Sequence, residues 1–245
     1  MNLDWNYYFE EINDNEIFSK VTIGVTKALD IFSVSDNLIK EIEKSGKQDI
    51  NTTKIEDGVT IKGPVYIGEG TEIEKGCIIH GPVYIGKNCK LIYNSYIRPG
   101  TILGDDCVVG FCSEVKNTIM RDGSKVSDLA FVGDSIIGKN SRIGSGVIVA
   151  NRGFNQSKIS IKDENKELID LEREFLGVIL GDNSRVGSNA TVSPGSFIGK
   201  YTWIYPHTCV HGFIPELKKV YDKQNLVFVD NPKKTLYKST NYIYK

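Results

Sequence analysis

The stretch IKGPVYIGEGTEIEKGCIIHGPVYIGKNCKL, residues 61–91, carries an aliphatic side chain at every sixth position. The series extends on both sides of this stretch, and eleven consecutive members are aliphatic: Ile55, Ile61, Ile67, Ile73, Ile79, Ile85, Leu91, Ile97, Leu103, Val109 and Val115. The positions between them are rich in Gly, Asp, Asn and Pro, which favour turns. A six-residue period fits neither an α-helix nor a flat strand. It is typical of short strands that wind, three to a coil, into a parallel β-helix.

The period continues beyond Val115 with two one-residue shifts, stops at Asn151 and later resumes. The later members are Met120, Val126, Val132, Ile137, Ile143, Val149, Leu180, Val186, Val192, Ile198, Ile204 and Val210. We therefore predict an all-β fold in which residues 51–212 form the β-helix. The polar segment 151–177 is predicted to be an extruded loop, either a flexible surface insertion or a functional lid.

The two ends of the chain lack the six-residue period. Residues 13–46 have helix-like apolar spacing, so we predict a small helical N-terminal cap, residues 1–50, over the open end of the prism. Residues 213–245 are predicted to form a C-terminal tail, which either adds a strand or packs on the side.

Charge and composition argue against several classes of partner. The 30 basic and 31 acidic residues nearly cancel, so no global field attracts nucleic acid or an anionic membrane. The sequence shows neither a signal-peptide pattern at its start nor an apolar run long enough to span a bilayer. We predict a cytoplasmic protein with no nucleic-acid or membrane partner. Its five cysteines are odd in number and lack CxxC spacing, so we predict reduced, core-filling side chains and no metal site.

Counting three hexads to a coil assigns the polar residues to the edges of a triangular prism. On one edge, Arg98 and Lys116 follow each other on successive coils, and Asn151 lies further along. Basic groups about 5 Å apart repel each other unless an anion or a carboxylate meets them. Glu114 is near enough in sequence to be that carboxylate. This ladder is either a binding site for an anionic substrate or a solvated row of charges.

A second edge carries Asp128, Ser145 and Ser188, each two residues after an inward aliphatic side chain. The serines lie in the runs IGSG and VGSN, whose small residues let a ligand approach the backbone N–H groups. Asp128 is a candidate base or orienting group beside that groove, although Asp is also common in turns. Because the two edges are different corners of one prism, they can cooperate only across a subunit interface. This predicts a symmetric ring with sites between the subunits.

The sequence also resembles a known enzyme family in three runs: IRPGTILGDDCVVGFCSEVKNT, SKVSDLAFVGDSIIGKNSRIGSGVIVAN and ILGDNSRVGSNATVSPGSFIGKYTWIYPHTCVHGFIPE. These runs resemble the acetyltransferase part of the bifunctional N-acetylglucosamine-1-phosphate uridyltransferase and glucosamine-1-phosphate acetyltransferase family. They also resemble its stand-alone relatives, which are named as sugar nucleotidyltransferase-related proteins. The resemblance covers about residues 50–215. It implies a left-handed β-helix homotrimer that transfers an acetyl group from acetyl-CoA to a sugar amine.

The resemblance implies a role for each candidate residue on the two edges. Arg98 and Lys116 match the basic pair that binds the sugar phosphate, and Asn151 matches an asparagine that binds the acceptor. Glu114 matches an acid that supports the catalytic base. Two further residues match positions that line the CoA slot: Ser145 and Ser188.

Several residues depart from the family pattern. Asp128 stands where the family has its histidine base, Phe131 replaces a tyrosine, and Arg142 replaces a second acceptor-binding asparagine. Pro206 replaces a small residue and has no N–H to offer to CoA. With an ordinary pKa of about 3.9, an aspartate is a weaker base towards an ammonium than an imidazole. His207, on the same edge as Asp128, is an alternative base.

These observations lead to two competing functional predictions. The first is an enzyme, an acyl-CoA-dependent N-acyltransferase with acetyl-CoA as co-substrate, which acts on an amino sugar phosphate or a nucleotide-linked amino sugar. Its catalytic candidates are Asp128 and Glu114. The alternative, suggested by the departures at Asp128, Phe131 and Arg142, is a non-catalytic sugar-binding or assembly subunit in a surface-polysaccharide pathway.

Overall fold

The fold is a left-handed parallel β-helix whose three sheets form the faces of a triangular prism. The computed structural model describes residues 3–10, 25–52, 54–162 and 168–223. Each coil crosses the three faces in the order sheet I, sheet II, sheet III, and each strand pairs in parallel with the strands one coil before and after it. The all-β class and the β-helix predicted from the six-residue period are thus confirmed.

Within the described residues the sheets contain nine, eight and eight strands. Sheet I contains β1 (Gln48–Ile50), β3 (Val65–Ile67), β6 (Val83–Ile85), β9 (Ile102–Leu103), β12 (Ile119–Met120), β15 (Ile136–Ile137), β20 (Val178–Leu180), β23 (Ser196–Ile198) and β26 (Phe213–Ile214). Sheet II contains β4 (Glu72–Ile73), β7 (Lys90–Leu91), β10 (Val108–Val109), β13 (Lys125–Val126), β16 (Arg142–Ile143), β21 (Arg185–Val186), β24 (Trp203–Ile204) and β27 (Lys219–Val220). Sheet III contains β2 (Thr60–Lys62), β5 (Ile78–His80), β8 (Tyr96–Ile97), β11 (Glu114–Lys116), β14 (Phe131–Gly133), β17 (Ile148–Val149), β22 (Thr191–Val192) and β25 (Cys209–Val210).

The inward aliphatic residues of the six-residue series fill the interior of the prism. From Val65 to Val210 they form one buried cluster, and most of them have no exposed surface. Cys77, Cys89 and Cys107 lie in the same cluster, as predicted. The prediction was wrong for Cys112 and Cys209, which are exposed, because they occupy a turn and an outward strand position rather than an inward one.

In the residues that the structure describes, the N-terminal helices pack against a side of the prism, on sheet I, and not over its open end as predicted. The short helix α1 (Trp5–Tyr8) and the longer α2 (Asp30–Ser45) precede the coils. Trp5, Tyr8 and Phe32 pack with the outward side chains of sheet I, and α2 contacts β3 and β6. Sheet I offers this docking surface because its outward side chains are themselves apolar. Part of the predicted helical spacing, residues 13–24, lies outside the described residues.

The coils also extend beyond the predicted boundaries. Strand β1 pairs with β3 inside the segment predicted as a cap, and β26 and β27 continue sheets I and II inside the predicted tail. The apolar run at 226–229 lies outside the described residues. The β-helix therefore reaches from Gln48 to Val220.

The predicted excursion leaves the prism after β17 and returns at β20, which pairs with β15. It contains an antiparallel pair, β18 (Ser160–Lys162) and β19 (Leu168–Asp170). Ile159, Ile161 and Leu171 are buried in the cluster that covers sheet I. These buried residues attach part of the excursion to the prism, whereas residues 154–158 are exposed.

The three faces of the prism differ in chemistry. Sheet I turns apolar residues outward, such as Ile119 and Phe197, and they are buried beneath the N-terminal segment and the excursion. An exposed apolar stripe follows sheet III and the corner that precedes it; its members are Ile78, Tyr93, Phe111, Leu129 and Ile148. The outer face of sheet II carries mainly basic side chains. No helix in the described ranges is long and apolar enough to cross a membrane.

Candidate functional site

The corner between sheets III and I contains the predicted basic ladder, and each base has its own acid there. Arg98 Nη1 donates to Glu114 Oε1 at 2.6 Å. Lys116 Nζ, one coil further, donates to Asp134 Oδ2 at 3.2 Å. The predicted pairing of the ladder with Glu114 is therefore present. Because both cations face a carboxylate, the two pairs together carry no net charge.

Asp134 is the centre of this corner. Its carboxylate is almost fully buried and also accepts hydrogen bonds from Asn117 Nδ2, at 2.7 Å, and from Asn151 Nδ2. Two of the predicted substrate-binding residues, Lys116 and Asn151, thus converge on one acid. A carboxylate with several donors is a strongly held group, and it fixes the positions of the side chains that surround it.

The excursion completes this corner. Lys116 Nζ lies 4.8 Å from the centre of the Phe175 ring, and the Arg152 guanidinium lies 5.1 Å from the same ring. The main-chain N–H of Gly177 donates to the carbonyl of Asp134 at 2.9 Å. The last residues of the excursion therefore pack against the Lys116 and Asp134 end of this corner. Sequence reasoning missed Phe175, because it lies in a segment with no period to assign it to an edge.

The corner between sheets II and III contains Asp128, which is exposed and takes part in a turn. Its Oδ1 accepts the main-chain N–H of Phe111, on the preceding coil, at 2.9 Å. Acids at several other turns accept main-chain N–H groups of adjacent coils in the same way: Glu56, Glu74, Asp105, Asp122 and Asp182. In the described part of the chain, no hydrogen bond occupies Asp128 Oδ2. One carboxylate oxygen thus stabilises the turn, and the other has no hydrogen bond in the described residues of this exposed corner.

Ser145 and Ser188 stack above Asp128 on the next two coils. Gly146 N donates to the carbonyl of Asp128, and Asn189 N donates to that of Ser145, both at 2.9 Å. The glycines before the serines are required by close packing. A Cβ at Gly144 would lie 2.8 Å from the main-chain nitrogen of Ser188. The small residues predicted for this groove therefore allow close approach of backbone to backbone.

Pro206 and His207 extend the same corner by one more coil. His207 N donates to the carbonyl of Ser188 at 3.1 Å, and the side chain is exposed. With Tyr205 and Tyr221 these residues line a concave site of about 450 Å³. In the residues that the structure describes, no group of three His, Cys, Asp or Glu side chains is arranged to hold a metal.

The two corners remain separate within one chain. Strand β14, which lies between Asp128 and Asp134, has three residues and spans about 10 Å. No single ligand atom can therefore contact both acids of one chain.

Two family models match parts of the chain. The model described as the GMPPB C-terminal domain matches residues 79–167, and the model described as the hexapeptide repeat of succinyl-transferase matches residues 174–199. Both matches lie within the coils and their excursion.

Curated relatives match a longer part of the chain. The bifunctional sugar-1-phosphate nucleotidylyltransferase/acetyltransferase of Sulfurisphaera tokodaii is 42% identical over 161 residues, which are 66% of this chain and 40% of the relative. The bifunctional protein GlmU of Methanocaldococcus jannaschii is 43% identical over 193 residues, which are 78% of this chain and 47% of the relative. The chain thus spans less than half the length of these relatives.

Among solved structures, an N-acyltransferase of Bacillus cereus, AntD, in complex with dTDP and coenzyme A aligns with 74% of this chain and 82% of its own. It is 18% identical with a TM-score of 0.33, which is too low to bear on function. The six-residue period, the three parallel sheets and the curated relatives agree, however. The chain has a left-handed β-helix fold with hexapeptide repeats, and these coils resemble part of the bifunctional nucleotidylyltransferase/acetyltransferase relatives.

Proposed function

We propose that the protein is an acyl-CoA-dependent N-acyltransferase that uses acetyl-CoA and acts on an amino sugar phosphate or a nucleotide-linked amino sugar. The observation that carries the proposal is the corner of Asp128, Ser145 and Ser188. It stacks an exposed acid beside two small-residue turns on successive coils. The sequence identity of 42% and 43% with bifunctional relatives across these coils supports the same assignment.

The corner suggests how the reaction proceeds. The neutral amine of the acceptor attacks the thioester carbonyl carbon, and the C–S bond then breaks. Asp128, through its Oδ2, accepts or orients the proton that the amine loses, and the CoA thiolate takes up a proton as it leaves. The main-chain N–H of Ser145 stabilises the negative charge on the carbonyl oxygen. Ser145 and Ser188 line the CoA slot.

The acceptor is assigned to the corner between sheets III and I. Arg98, Glu114, Lys116 and Asn151 offer donors and acceptors that suit the hydroxyl groups and phosphate of a sugar. Asp134 holds Lys116 and Asn151 in place for this task. Because the two corners lie apart in one chain, a complete site takes one corner from each of two subunits.

The proposed assembly is a homotrimer. The apolar stripe adjoins the Asp128 corner, and its most exposed member, Leu129, has 60% of its surface accessible. Exposed apolar surfaces of this kind mark sites of association. Contact of this stripe with a second copy of the chain would bring a neighbouring corner towards Asp128.

A specific observation favours the second candidate function, a non-catalytic sugar-binding or assembly subunit. The turn bond of Asp128 to Phe111 N resembles those of the acids at other turns, which lie outside the candidate site. An aspartate at this position is thus explained by turn structure alone.

Acyl transfer from acetyl-CoA to a panel of amino sugar phosphates and nucleotide-linked amino sugars separates the two candidates. The proposed enzyme releases free CoA thiol in step with N-acetylated product. If no acceptor is acylated while one of the sugars binds, the assignment as an enzyme is wrong and the binding subunit replaces it.

A further inference from the structure

Three basic side chains stand on adjacent coils of sheet II and face outward. Lys125 pairs in register with Arg142, and Arg142 pairs in register with Arg185. All three residues are exposed. Adjacent coils are about 4.8 Å apart, so the three side chains form one continuous row of positive charge. We call these three residues the basic row.

The basic row has no acidic partners, in contrast to the ladder of Arg98 and Lys116. In the described residues, none of its three side chains forms an ion pair with an acid. Like charges held this close repel one another unless an anion lies between them. In the described part of the chain, the basic row is therefore a patch of positive charge on sheet II that no acid balances.

The two arginines are held in place and keep donors free. Arg142 Nε donates to Ser127 Oγ at 3.0 Å. Arg185 Nη1 donates to the carbonyl of Asn140 and, at 3.2 Å, to the carbonyl of Ser184. These bonds leave most of the guanidinium N–H groups available, in the planar arrangement that suits phosphate oxygens. The row borders a concave site of about 440 Å³, to which Asn140 and Asn183 also belong.

The basic row runs alongside the proposed CoA slot. Arg142 and Arg185 each lie three residues before a serine of that slot, and Lys125 lies three residues before Asp128. On the next coil, Trp203 pairs in register with Arg185 and has 47% of its surface exposed. Cations followed by an exposed aromatic ring fit a ligand in which phosphates are followed by a base.

We propose that the basic row binds the phosphate groups of the CoA co-substrate and that Trp203 stacks on its adenine. The identity of the ligand rests on the proposed function. Phosphate binding by the row does not, since it requires no turnover. The acceptor also carries phosphate, and the experiment therefore distinguishes the two sources.

Calorimetric titration of the full chain at low salt tests the proposal with four probes: CoA, inorganic pyrophosphate, pantetheine and glucosamine 1-phosphate. The double variant Arg142→Gln/Arg185→Gln is expected to lose about tenfold or more in affinity for CoA and pyrophosphate, because two charge-assisted contacts disappear. Pantetheine, which has no nucleotide phosphates, is expected to bind both proteins equally. Trp203→Ala is expected to weaken CoA but not pyrophosphate.

Lys90→Gln is the matched control. Lys90 lies in the same outward register of sheet II, but it pairs with Glu72 at 3.4 Å. Its substitution removes the same charge and is expected to leave CoA affinity unchanged.

Equal CoA affinity in wild type and double variant overturns the proposal, as does an equal loss with Lys90→Gln. A loss confined to glucosamine 1-phosphate overturns the assignment to CoA. A variant that binds CoA normally but changes its mass in light scattering identifies the row as a subunit contact instead.

If wild type binds CoA through the row but acylates no sugar, the proposed function fails while this inference stands. The converse result is a double variant that transfers acyl groups with an unchanged KM for acetyl-CoA. That result rejects CoA binding by the row and leaves the proposed function intact.

Discussion

At the scale of single residues, Asp128 combines two roles that one substitution can separate. Asp128→Asn retains an oxygen that can accept the N–H of Phe111, but it removes the basic oxygen. We expect acyl transfer to fall by about 10²–10⁴-fold, with CoA affinity and thermal stability nearly unchanged. Steady-state rates and a melting curve measure both effects. Unchanged rates in Asp128→Asn would show that the acid only stabilises the turn.

Asp128→His gives a complementary test at the same position. An imidazole titrates near neutral pH and is the better base towards an amine. If the rest of the site is intact, we expect this variant to retain or exceed wild-type transfer near neutral pH. Inactivity in a variant with normal CoA binding would place the base elsewhere, and His207→Ala would then be the next variant to assay.

The sequence predicted which edge each candidate residue occupies, because the inward aliphatic side chains repeat and fix the register of everything between them. It could not predict Asp134 as the centre of its corner. Its donors come from the coils on either side, Lys116 and Asn117 from the preceding coil and Asn151 from the following one, and only the folded chain brings them to one carboxylate. A usable signal for the basic row was present: Lys125, Arg142 and Arg185 each directly precede an inward aliphatic residue.

At the scale of elements, a buried ion pair attaches the N-terminal segment to the prism. Arg121 Nη1 lies 2.8 Å from both oxygens of Asp182, and neither side chain is appreciably exposed. Asp182 also accepts the N–H of Glu10 at 2.8 Å. Burial raises the pKa of Asp182, and the Arg121 guanidinium opposes that rise. The segment's aromatic rings lie over the guanidinium, with Phe9 at 5.3 Å.

We expect Asp182→Ala to lower the free energy of unfolding by about 3–5 kcal/mol, because it leaves a buried arginine without its acid. Urea unfolding measures the loss. Arg121→Met/Asp182→Leu is expected to lose less than the single variant, since no unpaired charge remains. Glu72→Ala, which breaks an exposed pair with Lys54, serves as control and should change stability little. A single variant as stable as this control would contradict the role of the pair.

The position of the helices was not predictable from their own spacing. Amphipathic spacing in α2 indicates that one of its faces is buried, but not against which surface. The deciding feature is the outward apolar row of sheet I, whose members Ile102, Ile119 and Ile136 each directly precede an inward residue of the six-residue series. When two adjacent residues of a strand are apolar, one lies on each face of the sheet, so both faces are apolar. The outer face is then buried by other parts of the chain.

At the scale of the whole molecule, one face of the prism is covered, one is basic, and the third borders the apolar stripe. A basic face is a poor surface for contact between identical copies, because it would meet its own charge near a symmetry axis. The apolar stripe carries no charge of its own to repel a second copy, and it adjoins the corner of Asp128. This argues that the stripe, rather than sheet II, forms the subunit contact.

We therefore expect light scattering to give three times the 27.3 kDa mass of one chain. Leu129→Asn is expected to weaken the trimer, because burial of a leucine contributes about 1.5–3 kcal/mol at each interface. Asparagine suits the left-handed φ of 57° at this position, so the fold of the single chain should not suffer.

Leu217 has a φ of 59° and is 70% exposed, but it lies outside the stripe. Leu217→Asn is thus a matched control and should leave the mass unchanged at every protein concentration. A wild-type protein with the mass of a single chain would refute the trimer, and equal dissociation of both variants would place the contact elsewhere.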